Sequence, residues 1–111
     1  MRIRVPSEKV CERFFLLYEL KGCQKAVDFL SRHYEVRRMK IVLDGRRAGK
    51  GNRACYFEKR AYFTKRGLNK RCVLHEFYHH LVSVKGWDTP NVTEERNARN
   101  FAREFLRSRY S

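Results

Sequence analysis

Residues 75–79 read His-Glu-Phe-Tyr-His. Two imidazoles four residues apart lie on one face of an α-helix, about 40° apart at about 3.6 residues per turn. Both can reach one ion. Zinc accepts imidazole nitrogen at ~2.0–2.1 Å and keeps one position open in catalytic sites. Glu76 follows His75 by one position, about 100° around the helix. Its carboxylate therefore lies beside the ion and not on it. There it can take a proton from a metal-activated water, as a general base. The simpler alternative is a helix with ordinary surface histidines. Three of the four histidines fall within residues 75–80, which favours the metal site.

A third ligand must come from elsewhere. Glu94 and Glu95 lie 15 and 16 residues beyond His79. They flank a helix face of Ala98, Phe101, Ala102 and Phe105, so periodicity does not choose between them. Either acid also has a simpler role, stabilising a helix N-terminus. Asp88 is a weaker candidate. His80 lies about 140° from His75 around the helix, which suits a place behind the ligands or at the surface. Cys72 is read as a half-buried structural thiol in preference to a ligand. Tyr78 and Tyr110 could stabilise an oxyanion, with packing the simpler role for each. His33 reads as an ordinary residue at a helix end.

These side chains need two helices and something to hold them. Ser7 is a good N-cap, and Val10, Phe14, Leu17 and Leu20 follow at mostly helical spacing up to Gly22. A second helix runs through Ala26, Val27, Phe29 and Leu30 to about Tyr34. The period then changes, and Val36, Ile41, Val42 and Leu43 read as a strand. Residues 45–52, GRRAGKGN, hold three glycines and three cations and read as an exposed, mobile loop. Their glycine spacing does not make a phosphate-binding loop. Arg53–Glu58 and Ala61–Lys65 read as two more strands. Gly67-Leu68-Asn69 breaks the pattern before a strong helix from Lys70 to Val84. Its expected buried stripe is Leu74, Phe77, Tyr78 and Leu81, with the histidines at the margin. Gly86 ends it. Thr93 is expected to cap the last helix, with Glu94 and Glu95 in its first turn. The fold class is α+β: a helix pair, a small three-stranded sheet, mostly antiparallel, then two helices. Residues 1–111 form one domain.

The stretch Val73-Leu74-His75-Glu76-Phe77-Tyr78-His79-His80-Leu81 resembles the metal helix of the ImmA/IrrE-type metallopeptidases, whose usual pattern is near HELGHHLL. Residues 95–106, ERNARNFAREFL, fit that family's next helix, near ExxANxFAxxLL, whose first Glu is the third zinc ligand. The resemblance covers about residues 68–106. It selects Glu95 over Glu94. It implies a small zincin-like fold and an intracellular gluzincin with Zn²⁺ on His75, His79 and Glu95. It implies peptide-bond hydrolysis in a protein substrate, such as a repressor or an antitoxin. Tyr78 stands where the family has a small glycine, and Asn100 replaces an Asn that usually follows Ala98. The chain ends five residues after Leu106, with no helix-turn-helix domain attached. In zincin-like folds a sheet edge borders the cleft and pairs with an extended substrate. The strand Ala61–Lys65 is expected to be that edge.

The chain has 111 residues, 42% of them hydrophobic and 14% aromatic, enough for a modest core. Its start lacks the apolar stretch of a secretion signal, and no run reaches the ~20 apolar residues of a membrane span. With Cys11, Cys23, Cys55 and Cys72 widely spaced, these features predict reduced thiols and a cytoplasmic protein. The net charge is +14, and residues 35–72 hold 13 Lys/Arg against three acids, or +10. Such a segment attracts polyanions, or is simply well solvated. A nucleic-acid-binding protein using segment 35–72 is therefore a rival reading, with Tyr56, Phe57, Tyr62 and Phe63 able to stack on bases. A metal-bound but inactive scaffold is another.

Overall fold

A computed structural model describes residues 3–49 and 51–108. Tyr110 lies outside the described residues. Helix α1 (Glu8–Lys21) starts where Ser7 accepts from the Val10 amide at 3.4 Å. Gly22, at φ 96°, separates it from α2 (Cys23–His33). The N-terminal helix pair is thus as the sequence predicts.

Strand β1 (Lys40–Leu43) leads into a one-turn helix, α3 (Gly45–Ala48). The expected mobile loop is wrong at this point. Asp44 caps the turn, accepting from the Arg46 and Arg47 amides at 3.1 and 3.3 Å, and Ala48 is buried. The glycine content hid a capping residue. Lys50 lies outside the described residues.

Strands β2 (Ala54–Phe57) and β3 (Arg60–Phe63) form a hairpin. Its turn residues, Glu58 and Lys59, both have positive φ, 47° and 65°. That is the hand a tight hairpin needs, here without the usual Asn-Gly signal. The sheet order is β1-β3-β2. β3 is antiparallel to β2 but parallel to β1. The sheet is therefore mixed, not mostly antiparallel, because the hairpin folds β3 back between the two earlier strands. β3 is consequently the central strand, and the expectation that Ala61–Lys65 forms an edge fails.

The link from β3 to the next helix depends on Gly67. A Cβ there would lie 1.9 Å from the Arg53 carbonyl oxygen. Thr64 bonds that same carbonyl through its amide at 3.0 Å and its hydroxyl at 3.2 Å. Asn69 then caps α4 (Lys70–Lys85), accepting from the Cys72 amide at 2.9 Å. Gly86 ends α4 in the left-handed conformation, at φ 70°.

Helix α5 (Asn91–Arg107) has Pro90 at its N-cap position, three residues before the expected Thr93 cap, and no side chain caps it. Proline's fixed φ suits a helix start, and the Pro90 carbonyl accepts from the Glu94 amide at 2.9 Å. Only Glu94 falls in the first turn.

The core lies between the helices and the inner face of the sheet. Phe105 of α5 meets Phe14 and Phe15 of α1 edge-on, at 5.1 and 5.6 Å between ring centres. Helix α4 is buried around more of its circumference than the expected stripe. Val73, Glu76, His80 and Val82 are buried as well as Leu74, Phe77, Tyr78 and Leu81. It packs on α5 along one side and on β2 and β3 along another, so two faces are covered. All four cysteines are free thiols. Among the described residues, no helix is long and apolar enough to cross a membrane.

Candidate metal centre

The two histidines and Glu95 converge. His75 Nε2 and His79 Nε2 are 3.3 Å apart. Glu95 brings Oε2 to 3.1 Å from the first and Oε1 to 2.7 Å from the second. Among the described residues this is the one His/Cys/Asp/Glu group whose ligand atoms all lie within 4.8 Å of one another. Three ligands at ~2.0–2.1 Å around a tetrahedral zinc would be about 3.3 Å apart. The donor set therefore fits a divalent ion of zinc's size and ligand preference. The helical spacing of residues 75 and 79 supplies two donors. Only the packing of α5 against α4 supplies the third.

Glu94 has a different place. Its Oε2 lies 2.5 Å from His79 Nδ1. A carboxylate on the far nitrogen orients the ring and leaves Nε2 turned towards His75 and Glu95. The sequence offers Glu94 and Glu95 as rival ligands. The structure instead uses both, Glu95 against the two Nε2 atoms and Glu94 behind one ring. Adjacent residues can do this because His79 faces the helix start with two nitrogens on opposite sides of its ring.

Glu76 is buried, at 7% exposure, and lines the same cleft as the histidines. Burial is the largest influence on its carboxyl and raises its pKa from 4.5 to about 7. The His79 charge opposes this and Glu95 reinforces it. Burial, followed by the neighbouring His79, lowers the pKa of His75 below 6.5. An acid poised near neutrality can both accept and return a proton.

His80 is neither a ligand nor a surface residue. It is completely buried. Its Nε2 lies 2.5 Å from the Arg37 carbonyl oxygen, which can only accept, so Nε2 carries the hydrogen. Nδ1 then accepts from the Tyr56 hydroxyl at 2.9 Å, and the Tyr56 oxygen accepts from the Lys59 amide at 3.0 Å. This chain ties α4 to the β2–β3 turn and to the segment before β1. Periodicity around α4 alone could not reveal it, because every partner is distant in sequence.

The remaining sequence candidates fall away. Asp88 is exposed and outside the ligand group. Cys72 is half-buried against the core and also outside that group. Tyr78 is 2% exposed and packs on Phe101 at 5.6 Å, so its role is packing. His33 sits edge-on against Tyr34 at the end of α2.

The cleft holds about 610 Å³ and is bordered by Asn52, Ala54, Cys55 and Tyr56 on one side and by Asn91, Glu94 and Glu95 on the other. The bordering strand is β2, an edge of the sheet. No family model matches the chain, and no curated protein or solved structure matches it either.

Proposed function

We propose that this chain is a small zinc-dependent endopeptidase of the ImmA/IrrE type, with a zincin-like fold, acting on a protein substrate in the cytoplasm. The observation that carries the reading is the convergence of His75, His79 and Glu95 beside the buried Glu76. The residue-by-residue likeness of the two metal helices to that family supports it. In this reading His75, His79 and Glu95 hold Zn²⁺ and Glu94 steadies His79.

Bound there, Zn²⁺ would supply Lewis-acid polarisation of a water and of the scissile carbonyl. Glu76 takes a proton from the attacking water and returns it to the leaving amine. Burial raises its pKa in the metal-free protein, and Zn²⁺ bound beside it would favour the carboxylate that accepts the water proton. The outer edge of β2 offers backbone hydrogen bonds to an extended peptide, aligning it along the cleft. A repressor or an antitoxin is the substrate type that the family resemblance implies.

Metal analysis of purified protein tests the site. Wild type should carry one zinc per chain and His79→Ala should not; a wild type without stoichiometric zinc would sink the assignment. Glu76→Gln should keep zinc and lose cleavage of a substrate identified by its co-purification with that variant. Retained cleavage would dismiss Glu76 as the base.

A further inference from the structure

We propose that the outer face of the sheet binds single-stranded nucleic acid, stacking a base on Phe57 and holding phosphates with Lys40, Arg47, Lys59 and Arg60. The proposal does not rest on the peptidase reading.

Strand register assigns the faces, because paired residues in neighbouring strands point the same way and successive residues alternate. Tyr56 is level with Ala61 and Ile41, and Ala54 is level with Phe63 and Leu43. This is the inner face, since Tyr56 bonds His80 and both Ala61 and Phe63 are fully buried. Phe57 is level with Arg60 and Lys40, and Cys55 with Tyr62 and Val42. These form the outer face. The alternation thus divides the four aromatics of the basic segment. Tyr56 and Phe63 are committed to the interior, Phe57 is exposed on the outer face, and Tyr62, on that same face, is buried beneath Arg47.

The outer face is built for an anion with a flat apolar part. Phe57 is 60% exposed. Arg47, on α3, lies over the Tyr62 ring at 5.6 Å, with Nη1 3.4 Å from the Tyr62 hydroxyl. Arg47, Phe57, Glu58, Arg60 and Tyr62 line a cavity of about 260 Å³. Lys40, Lys59 and Arg60 are exposed around it. Two acids stand nearby. Glu58 lines the cavity, and Asp44 lies 3.9 Å from Arg47. The cations outnumber them, and the surrounding segment carries +10 of the chain's +14. A purely electrostatic partner, such as an acidic protein, has no use for an exposed phenyl ring among cations. A base attached to a phosphodiester chain uses both. A duplex keeps its bases stacked on one another, so a single strand is the form that fits.

The test is fluorescence anisotropy with short labelled oligo-dT and oligo-U, at several salt concentrations between about 50 and 200 mM. Binding should be saturable and weaken with salt. Phe57→Ala should weaken it at least about fivefold, and Phe57→Tyr should restore it. Arg60→Ala should reduce the salt slope by about one. Glu58→Gln should tighten binding, and Arg103→Ala, on exposed α5 surface, should leave it unchanged. Absence of saturable binding would overturn the proposal. So would an unchanged affinity in Phe57→Ala, or polyglutamate competing as well as unlabelled oligonucleotide. Circular dichroism of each variant separates lost binding from lost folding.

Discussion

Replacing Glu76 by Gln should stabilise the metal-free protein, and the gain should depend on pH. Glu76 has an ordinary pKa of 4.5 when unfolded and about 7 when folded, chiefly because it is buried. Below pH 4.5 the carboxyl is protonated in both states and costs nothing. As pH rises the unfolded chain loses its proton first, so wild type is progressively destabilised until pH passes 7. The shift of about 2.5 units, at about 1.36 kcal/mol per unit, sets a loss of about 3 kcal/mol. Gln has no proton to lose. The buried amide changes stability by a constant amount, so the pH-dependent part of the difference isolates the carboxyl. The assay is urea unfolding of both proteins in chelator, from pH 4.5 to 8. The gap between them should widen by up to about 1.4 kcal/mol per pH unit and level off above pH 7. Added zinc should shrink it, because a divalent cation nearby favours the charged carboxylate. A gap that stays constant from pH 5 to 8 would refute the claim that burial holds Glu76 neutral.

Three further outcomes are expected. Glu94→Gln should bind zinc about 10–100-fold more weakly by competition with a chelator, the usual effect of losing a ligand's supporting carboxylate; unchanged affinity would remove Glu94 from the site. Gly67→Ala should cost about 2–4 kcal/mol in denaturant unfolding, since its Cβ would collide with the Arg53 carbonyl. A cost below about 0.5 kcal/mol would mean the turn relaxes freely. Phe105→Ala should cost about 3–5 kcal/mol, because it leaves a hole beneath Phe14 and Phe15. A fall smaller than that of an exposed control, Leu20→Ala, would contradict this packing.

The sequence by itself determined the local features of this protein. Ser7, Gly22 and Gly86 mark helix ends through capping chemistry that needs no distant partner. The four-residue spacing of His75 and His79 obliges them to share a helix face. Periodicity also found the buried face of α5, Ala98, Phe101, Ala102 and Phe105. Local signals misled where two readings of one residue competed. The glycines of residues 45–52 read as a loop where Asp44 caps α3, and Thr93 reads as a cap where Pro90 starts the helix.

Tertiary structure alone decided how the parts meet. Strand order could not be read, because β1, β2 and β3 are similar short segments, and pairing depends on which edges the turns bring together. That order makes β2, not β3, the wall of the cleft, and turns Phe57 outward while Tyr56 faces His80. The two acids beside each other were the clearest case. Sequence offered Glu94 or Glu95 as a third ligand for the helix that carries His75 and His79. The angle at which α5 meets α4 sets one carboxylate against the two Nε2 atoms and the other behind His79. Helical period fixes only directions around one axis, and this division of labour depends on the placement of two.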